Sequence, residues 1–366
     1  MKFIAQKSEI YDAVINTGKA ASAKSTIPAL EGIHFDLNEN TLTLTGYDLD
    51  LGIKTNFQVD GKDNGAIVIN ARLVSDLIRK LPDGNICFDV DEKNMVNIKA
   101  GEVEFSIMGM QEDDYPSIPV VSPEKSFSMP QALLKEMINQ TLFAVAVNEI
   151  KPVHTGSKFD IIDGELNVVS VDGVRMAIRK EKVDFEDFSF VVPGKTLSEV
   201  SRMLDDDTEK KVTLCVDRNQ ISFEVEKYTI ISRLLEGDFI NYANSMSFNS
   251  DIVAKVNVRE FSDSLERAML LINEKHKSPV KLEFEPGMLK ISCASSLGKV
   301  NDSIKIDYSG TPLKIGLNAK YMLDAIRHSN SDMVKIMLMS AIKPVKVLPI
   351  EGDSFTFLIM PMRIKE

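Results

Sequence analysis

Residues 130–146, PQALLKEMINQTLFAVA, carry apolar side chains at helical spacing. Apolar residues that recur at three- and four-residue intervals bury one face of a helix. The same pattern returns in residues 8–22, SEIYDAVINTGKAAS, and in residues 258–273, VREFSDSLERAMLLIN. The equivalent positions in the three copies are Val14, Met137 and Leu265. The sequence therefore predicts one helix that the chain contains three times.

A β-hairpin follows each of these helices. The three copies are GIHFDLNENTLTLTG at 32–46, KFDIIDGELNVVS at 158–170 and VKLEFEPGMLKISC at 280–293. Each shows apolar residues alternating on both sides of a turn signal, such as Asp163-Gly164 or Pro286-Gly287, and this pattern is typical of hairpins. Leu42, Leu166 and Leu289 occupy equivalent positions.

A second helix comes later in each copy, in residues 69–81, 192–204 and 317–328. Its start is marked by Asn or Pro, which favour the first positions of helices. These residues are Asn70, Pro193 and Asn318. Two positions further on, all three copies are basic, with Arg72, Lys195 and Lys320.

The helices and hairpins recur in the same order at a spacing of roughly 125 residues, which indicates an internal repeat. We therefore predict an α+β fold of three tandem repeats, each with two helices packed on antiparallel sheet. The predicted boundaries are 1–121, 127–246 and 248–366. Such repeats form arrays that are either open or closed.

Composition limits the classes of function. The formal net charge is −11, so binding to nucleic acid cannot depend on overall charge. Tryptophan is absent and aromatic residues make up 7%, which argues against a single-strand binder that stacks bases. No apolar run is long enough to span a membrane, and no secretory signal is recognisable at the N-terminus. The three cysteines, in separate apolar runs, favour reduced thiols in a cytoplasmic protein: Cys87, Cys215 and Cys293.

Sequence motifs for catalysis or for cofactors are missing. The PGKT of residues 193–196 resembles the end of a phosphate-binding loop, but Ser189 stands where the first glycine is needed. The histidines are scattered, and no zinc or nucleophile motif is present. Two acidic clusters, at 112–114 and 205–207, are interpreted as solvated turns. We therefore expect no catalytic residue, no cofactor and no metal.

Several local motifs resemble the bacterial sliding clamps, the β subunits of DNA polymerase III, and the resemblance covers the whole chain. The most specific motif is the terminal LIMPMRI at 358–364, because this family ends in Met-Pro-Met-Arg and an aliphatic residue. The other motifs are STIPALEGI at 25–33, INARLVSDLIRKLP at 69–82, SVDGVRMAI at 170–178 and LLEGDF at 234–239.

The resemblance implies a DNA-clamp-type fold in which each chain is half of a closed ring. Two chains would form a head-to-tail homodimer that encircles double-stranded DNA without reading its sequence, with the helices lining the hole. Enclosure needs no tight grip on phosphates, so an acidic outer surface can coexist with a basic lining. The expected DNA-facing residues are Lys24, Arg72, Asn148, Lys195 and Lys320.

The resemblance also implies a pocket, between the second and third repeats, for short linear peptides of the replicative polymerase, the clamp loader and repair proteins. Carried over by position, the pocket comprises His154, Val171, Gly173, Arg175, Met176, Ile240, Asn244, Ser245, Pro344, Leu358, Met360, Pro361, Met362 and Arg363. Methionine suits surfaces that accept several partners. This chain departs from the family pattern at Ile240 and Asn244, where a proline and a basic residue are usual, and at Val174, where a histidine is usual.

Four residues match the positions of the family's dimer contact. They are Phe105 and Ile107 at the end of the first repeat, and Leu270 and Leu271 in the third. Lys299 lies where some related chains carry an acidic patch, so apolar burial is expected to dominate this contact. Two alternatives stay open at this point: an enzyme with an active site at the repeat interfaces, and an open scaffold without a role on DNA.

Overall fold

The computed structural model describes residues 1–122, 124–147, 151–243, 250–272 and 278–364. Its internal contacts divide the chain into two units. Unit 1 comprises Met1–Leu133 and Arg202–Leu234, and unit 2 comprises Leu134–Ser201 and Leu235–Glu366. The division runs through the middle predicted repeat, so the three repeat boundaries stay a prediction at this stage.

Six α-helices occur in the described part of the chain, two in each predicted repeat. They are α1 (Lys7–Gly18), α2 (Ala71–Lys80), α3 (Gln131–Leu142), α4 (Gly194–Met203), α5 (Val258–Met269) and α6 (Ala319–Arg327). Asparagine side chains cap three of them, as the polar residue before a helix is expected to do. Asn70, Asn257 and Asn318 accept hydrogen bonds from backbone N–H groups in the first turns of α2, α5 and α6. Pro193 directly precedes α4.

Unit 1 contains two antiparallel sheets. The five-stranded sheet has the order β5-β1-β7-β8-β9 and the eight-stranded sheet the order β10-β15-β16-β17-β4-β3-β2-β6. The strands are β1 (Lys2–Gln6), β2 (Gly32–Asn38), β3 (Thr41–Tyr47), β4 (Leu51–Gln58), β5 (Asp60–Asp63), β6 (Gly65–Asn70), β7 (Asn85–Val90), β8 (Met95–Ala100), β9 (Val103–Met108), β10 (Lys125–Pro130), β15 (Lys211–Val216), β16 (Gln220–Val225) and β17 (Tyr228–Arg233).

Unit 2 also contains two antiparallel sheets, of eight and four strands. Their orders are β14-β11-β12-β13-β25-β24-β23-β18 and β21-β20-β19-β22. The strands are β11 (Gly156–Ile162), β12 (Glu165–Val171), β13 (Arg175–Lys182), β14 (Phe188–Pro193), β18 (Ile252–Asn257), β19 (Val280–Glu285), β20 (Met288–Ser295), β21 (Gly298–Lys305), β22 (Leu313–Leu317), β23 (Met333–Leu338), β24 (Val345–Pro349) and β25 (Phe355–Ile359).

The cores lie between helix pairs and sheets. In unit 1 the buried faces of α1 and α2 pack on sheet residues such as Phe35 and Phe88. In unit 2 the faces of α5 and α6 pack on residues such as Phe284 and Phe357. The approach of α1 to the sheet is so close that a Cβ on Gly46 would lie 1.9 Å from the carbonyl oxygen of Thr17. The predicted α+β architecture with antiparallel hairpins is therefore confirmed.

Strand pairing shows how the two eight-stranded sheets are built. Each consists of two four-stranded sets from neighbouring predicted repeats, joined edge to edge. In unit 1 the joint is the antiparallel pair β17–β4, and in unit 2 it is β13–β25. The five-stranded sheet has β5 and β9 at its edges, and the four-stranded sheet has β21 and β22. Neither β9 nor β21 has a second partner among the described strands.

The two acidic clusters lie at the surface. Residues 112–114 form an exposed 3-10 turn, and residues 205–207 lie in an exposed loop after α4. Cys87 is half-buried, while Cys215 and Cys293 are buried, and all three are free thiols.

Candidate functional site

A cavity of about 450 Å³ opens on unit 2. Its walls come from the β12–β13 turn, the segment after β17, the β23–β24 turn and the end of β25. The lining residues are Val171, Gly173, Val174, Arg175, Met176, Ile240, Met339, Lys343, Pro344, Leu358 and Met360. Most of the lining is apolar, with a few polar groups at the rim, which is the usual composition of a binding site.

The floor of the cavity is a small apolar cluster separate from the main core of unit 2. Met176 on β13 stands opposite Leu358 on β25 in the strand register, and both side chains are almost fully buried. Val171 at the end of β12 is also buried and completes the part of the floor that lines the cavity. Because β13–β25 is a joint between strand sets, the floor exists only where two predicted repeats share a sheet.

The β12–β13 turn forms one wall and is held by Asp172. One carboxylate oxygen, Oδ1, accepts hydrogen bonds from the backbone N–H groups of Val174 and Arg175, both at 3.0 Å. Gly173 between them has a φ of +90°, which favours glycine. Oδ2 of Asp172 accepts a 2.9 Å hydrogen bond from Nε of Arg175.

Arg175 is fixed from several sides. Its Nη1 donates a 2.7 Å hydrogen bond to Oδ2 of Asp324 on α6. Its guanidinium carbon lies 4.3 Å from the ring centre of Tyr321 and 5.6 Å from that of Phe143. A planar guanidinium can stack on rings and bind carboxylates at the same time, which lysine cannot do equally well. Arg175 therefore supports the wall and ties it to α6.

A second wall is the segment that carries Ile240, whose side chain is exposed. Phe239 packs on the floor cluster, and the ring of His154 meets it edge-on at 5.3 Å between centroids. Burial, and secondarily the charge of Lys151, lower the pKa of His154, so this imidazole is neutral at pH 7. Tyr242 anchors the other end by donating a 2.7 Å hydrogen bond to Oδ2 of Asp160. Burial and this carboxylate raise the pKa of Tyr242.

The third wall is the β23–β24 turn with Met339, Lys343 and Pro344, facing Met360 just after β25. The backbone N–H of Met360 donates a 2.9 Å hydrogen bond to the carbonyl of Val174, which joins this wall to the first. Two residues later the chain leaves the cavity, because the N–H of Met362 bonds to the carbonyl of Gly316 at 2.8 Å.

The cavity brings together eight of the fourteen residues expected at a peptide pocket. These are Val171, Gly173, Arg175, Met176, Ile240, Pro344, Leu358 and Met360. His154 stands behind the wall against Phe239, and Pro361, Met362 and Arg363 follow the cavity without lining it. Asn244 and Ser245 lie outside the described residues. That these residues bind peptides stays a prediction.

Three lining residues were not expected: Val174, Met339 and Lys343. Val174 could have been found from its place in the DGVR turn. Met339 and Lys343 belong to a turn that shows no motif, so only the folded chain brings them to the cavity.

The repeated basic residues occupy one structural position. Arg72, Lys195 and Lys320 are the second residues of α2, α4 and α6, and all three are exposed. Lys24 is exposed in the loop after α1. Asn148 lies outside the described residues.

The residues expected at a dimer contact lie on the edge strand β9 and directly after α5. Phe105 and Ile107 on β9 are half-buried and pack against the core of unit 1. Leu270, directly after α5, is 80% exposed, and Leu271 is half-buried. A groove of about 680 Å³ runs between α5 and α6 next to Leu270.

No group of acidic, cysteine or histidine side chains that could hold a metal ion occurs within the described ranges. Among the same residues, no helix is long and apolar enough to cross a membrane.

Comparisons with known proteins agree along the whole chain. Residues 1–119, 128–241 and 244–363 match, in order, the N-terminal, central and C-terminal domains of the DNA polymerase III beta subunit. The beta sliding clamp of Bacillus subtilis is 32% identical over 99% of this chain and 100% of its own length. The beta sliding clamp of Staphylococcus epidermidis is 33% identical over 99% of each chain.

A solved structure extends this agreement to the fold. The crystal structure of the DNA polymerase sliding clamp from Bacillus subtilis superposes with a TM-score of 0.93 and 31% identity, covering 100% of both chains. The fold therefore consists of three tandem clamp-type domains with helices on antiparallel sheets. With three matching domains in the right order and relatives of equal length, the chain belongs to the DNA polymerase III beta subunit family, the bacterial beta sliding clamps.

Proposed function

We propose that two copies of this chain close head to tail into a ring that encircles duplex DNA. The ring tethers the replicative polymerase, the clamp loader and repair proteins through short peptides that bind the cavity on unit 2. It acts in the cytoplasm and catalyses no reaction. The observation that carries this proposal is that the edge strands β9 and β21 occupy the places in their repeats that β17 and β4 occupy at the joint within unit 1.

The internal repeat indicates how these edges would meet. The β8–β9 hairpin is equivalent to β16–β17, since Ala100 pairs with Val103 in one and Val225 with Tyr228 in the other. The β20–β21 hairpin is equivalent to β3–β4, because Leu289 and Leu42 correspond. The joint β17–β4 within unit 1 is therefore a template for a joint between β9 of one copy and β21 of another. A contact of this head-to-tail type forms a ring when the rotation closes.

The β17–β4 joint also predicts which residues would face each other where β9 of one copy meets β21 of the other. This proposed contact between copies is called the seam. At the existing joints, Ile230 faces Ile53 and Phe357 faces Ala177, and all four side chains are buried. The equivalent pair at the seam is Phe105 with Val300, and both are only half-buried in a single copy. Phe105 and Val300 would become buried, like the joint residues, if a second copy covered them.

The same register pairs two unusually exposed apolar side chains. Arg233 N–H bonds to the carbonyl of Asp50 at the template joint, and the equivalent residues at the seam are Met108 and Leu297. These side chains are 63% and 67% exposed, so each would bury apolar surface against the other. Glu104 would lie diagonally across from Lys299, which adds an opposite-charge contact. The apolar pairs would dominate, as expected for a permanent interface.

The repeated cations support the proposal that the helices line the hole of the ring and face DNA. The amino end of a helix carries a partial positive charge, which adds to the charge of a cation in the first turn. Arg72, Lys195 and Lys320 all occupy such positions. Helix N-termini with added cations attract phosphates without reading bases, which permits sliding.

Covalent closure of the seam tests the ring directly. We expect Met108→Cys with Leu297→Cys to give a disulfide-linked dimer under mild oxidation. The protein is loaded with a clamp loader onto a nicked circular plasmid, oxidised and then treated with denaturing detergent. A sealed ring should stay on the circle and be lost when the plasmid is linearised. Equal retention on circular and linear DNA would contradict enclosure.

Two controls test whether the disulfide depends on the proposed pairing of Met108 with Leu297. Each single cysteine variant should give no covalent dimer, because its native partner is not a thiol. The variant Glu104→Cys with Leu297→Cys is offset by four residues, about 13 Å along a strand, and should not form a disulfide. Efficient linkage of this offset pair would contradict the register. An open scaffold would fail to remain on circular plasmid after detergent in any cysteine variant.

Removing the repeated cations should weaken the salt dependence of DNA binding. Arg72→Ala, Lys195→Ala and Lys320→Ala together remove three charges per chain. The slope of log affinity against log salt should fall by about one for each phosphate that the protein no longer neutralises. Fluorescence anisotropy of a labelled duplex measures it. The matched variant changes three exposed strand lysines, Lys62, Lys99 and Lys314, to alanine and should keep the wild-type slope. Equal slopes for the two triple variants would refute the assignment.

A further inference from the structure

The sulfur atoms of unit 2 differ in their access to solvent. Its only cysteine, Cys293, is 3% exposed, and burial raises the pKa of this thiol. A buried, protonated thiol reacts slowly with oxidants, because the thiolate is the reactive form. A thioether has no such proton, so its reactivity follows the exposure of the sulfur. In unit 2 the sulfur that an oxidant can reach therefore belongs to methionine side chains.

Four methionines have exposed side chains in the part of unit 2 that the structure describes. They are Met288, Met333, Met339 and Met360, with exposures of 39%, 36%, 37% and 46%. Met339 and Met360 line the cavity, whereas Met288 and Met333 begin β20 and β23 and lie outside its lining. The cavity therefore contains two oxidisable side chains, and the same unit offers two of similar exposure for comparison.

The two cavity methionines stand on different walls. Met339 directly follows β23, and Met360 is held just after β25 by the 2.9 Å hydrogen bond from its backbone N–H to the carbonyl of Val174. Pro344 and Leu358 add apolar surface to the same lining. Thioethers are polarisable and adapt to the shape of what they contact. An apolar group bound in the cavity would therefore be covered by thioethers from two sides.

Oxidation changes these walls chemically. A lone pair of the methionine sulfur attacks one oxygen of hydrogen peroxide, and the O–O bond breaks. The sulfide is oxidised to a sulfoxide, while the second oxygen of the peroxide takes up the displaced proton and leaves as water. The S=O group is polar and accepts hydrogen bonds, so covering it with an apolar group removes its hydration without replacing it. An oxidised cavity should therefore bind apolar groups weakly.

We propose that Met339 and Met360 form a modification site at which peroxide reversibly blocks binding to the cavity. Both become sulfoxides under oxidising conditions, and the cavity then releases peptides that are anchored by apolar side chains. Methionine sulfoxide reductases restore the thioethers and with them the binding. The inference rests on the peptide-binding role proposed above and adds its regulation. A bound peptide covers both sulfurs, so an occupied cavity is oxidised more slowly than an empty one.

The test begins by oxidising the full-length protein with hydrogen peroxide. Catalase then removes the peroxide, and dithiothreitol reduces any disulfides or sulfenic acids of the cysteines. Mass spectrometry of a proteolytic digest gives the fraction of sulfoxide at each methionine. Affinity is measured by fluorescence polarisation with fluorescein-labelled, amidated hexapeptides that have Leu-Leu, Leu-Phe or Phe-Leu in the centre and contain no methionine.

We expect Met339 and Met360 to be oxidised, while Met137 and Met322, which are fully buried, stay intact. The affinity for the best-binding hexapeptide should fall about tenfold, because apolar side chains would then cover unpaired polar groups. Treatment with methionine sulfoxide reductases should restore the affinity. Thermal unfolding of the treated protein should be unchanged, since the methionines of the core are not modified.

Two double variants locate the effect. Met339→Leu with Met360→Leu removes both cavity sulfurs, and Met288→Leu with Met333→Leu removes the two comparison sulfurs. The affinity of each variant after treatment is compared with its own affinity before treatment, so a difference in starting affinity does not enter. Peroxide should leave the affinity of the first variant unchanged and should lower that of the second as much as in the wild-type protein.

The outcomes against the proposal are distinct. Wild-type protein that keeps its affinity with both cavity methionines oxidised would overturn the regulatory role. An equal loss in Met339→Leu with Met360→Leu would place the effect at another residue. Sulfoxide at Met288 and Met333 without sulfoxide at the cavity would overturn the modification site. Failure of every hexapeptide to bind the untreated protein would instead contradict the peptide-binding role on which the regulation rests.

Discussion

Replacing Arg175 by alanine is expected to destabilise unit 2 by about 3 kcal/mol, because removing one partner of a largely buried ion pair leaves the other uncompensated. Two carboxylates, those of Asp172 and Asp324, would lose their counter-charge. The stacking of the guanidinium on the ring of Tyr321 would disappear as well. Urea unfolding followed by circular dichroism should show a lower midpoint.

The matched control is Arg79→Ala. Arg79 also binds an aspartate, Asp76, but both side chains are more than half exposed. Exposed pairs of this kind contribute less than about 1 kcal/mol. A double variant, Arg175→Ala with Asp324→Ala, should recover part of the stability, since it removes one of the uncompensated charges. If Arg175→Ala unfolded at the same urea concentration as Arg79→Ala, the wall would not depend on this ion pair.

The ion pair between Arg175 and Asp324 could not be predicted from the sequence. The DGVR turn could be assigned to the pocket from its resemblance to a family motif. Its partner Asp324 is 149 positions away on another helix, and no periodicity or motif connects the two. Tertiary ion pairs depend on which elements become neighbours, and the local pattern does not contain that information.

The sequence also did not predict how strands of different repeats pair in the sheets. Alternation about turn signals predicted the hairpins, because each side chain must face either the core or solvent. It did not predict that β17 pairs with β4, or β13 with β25, across predicted repeats. Every set of strands has an edge with unpaired backbone groups, and the apolar pattern does not specify which other edge satisfies them. The cavity floor lies on one of these joints, so its position could not be derived from one repeat alone.

Replacing Met360 by glutamate should lower peptide affinity about 100-fold, since a buried carboxylate facing an apolar ligand is strongly unfavourable. Met360 lines the cavity, and its side chain is 46% exposed in the free protein. The backbone N–H of residue 360, which bonds to Val174, is kept by any substitution other than proline. Folding and dimer formation should therefore be unchanged, as checked by thermal unfolding and sedimentation. Met360→Leu should retain binding.

The specificity of this effect can be tested with Met333→Glu. Met333 is another exposed methionine of unit 2, at the start of β23, and it does not line the cavity. The same change in size and charge there should leave peptide affinity within about twofold, as expected for a surface substitution away from the site. Fluorescence polarisation with one peptide compares the three variants under identical conditions. If Met360→Glu and Met333→Glu bound the peptide equally well, the ligand would occupy a different surface, and the cavity between β13, β25 and the β23–β24 turn would lose its assigned role.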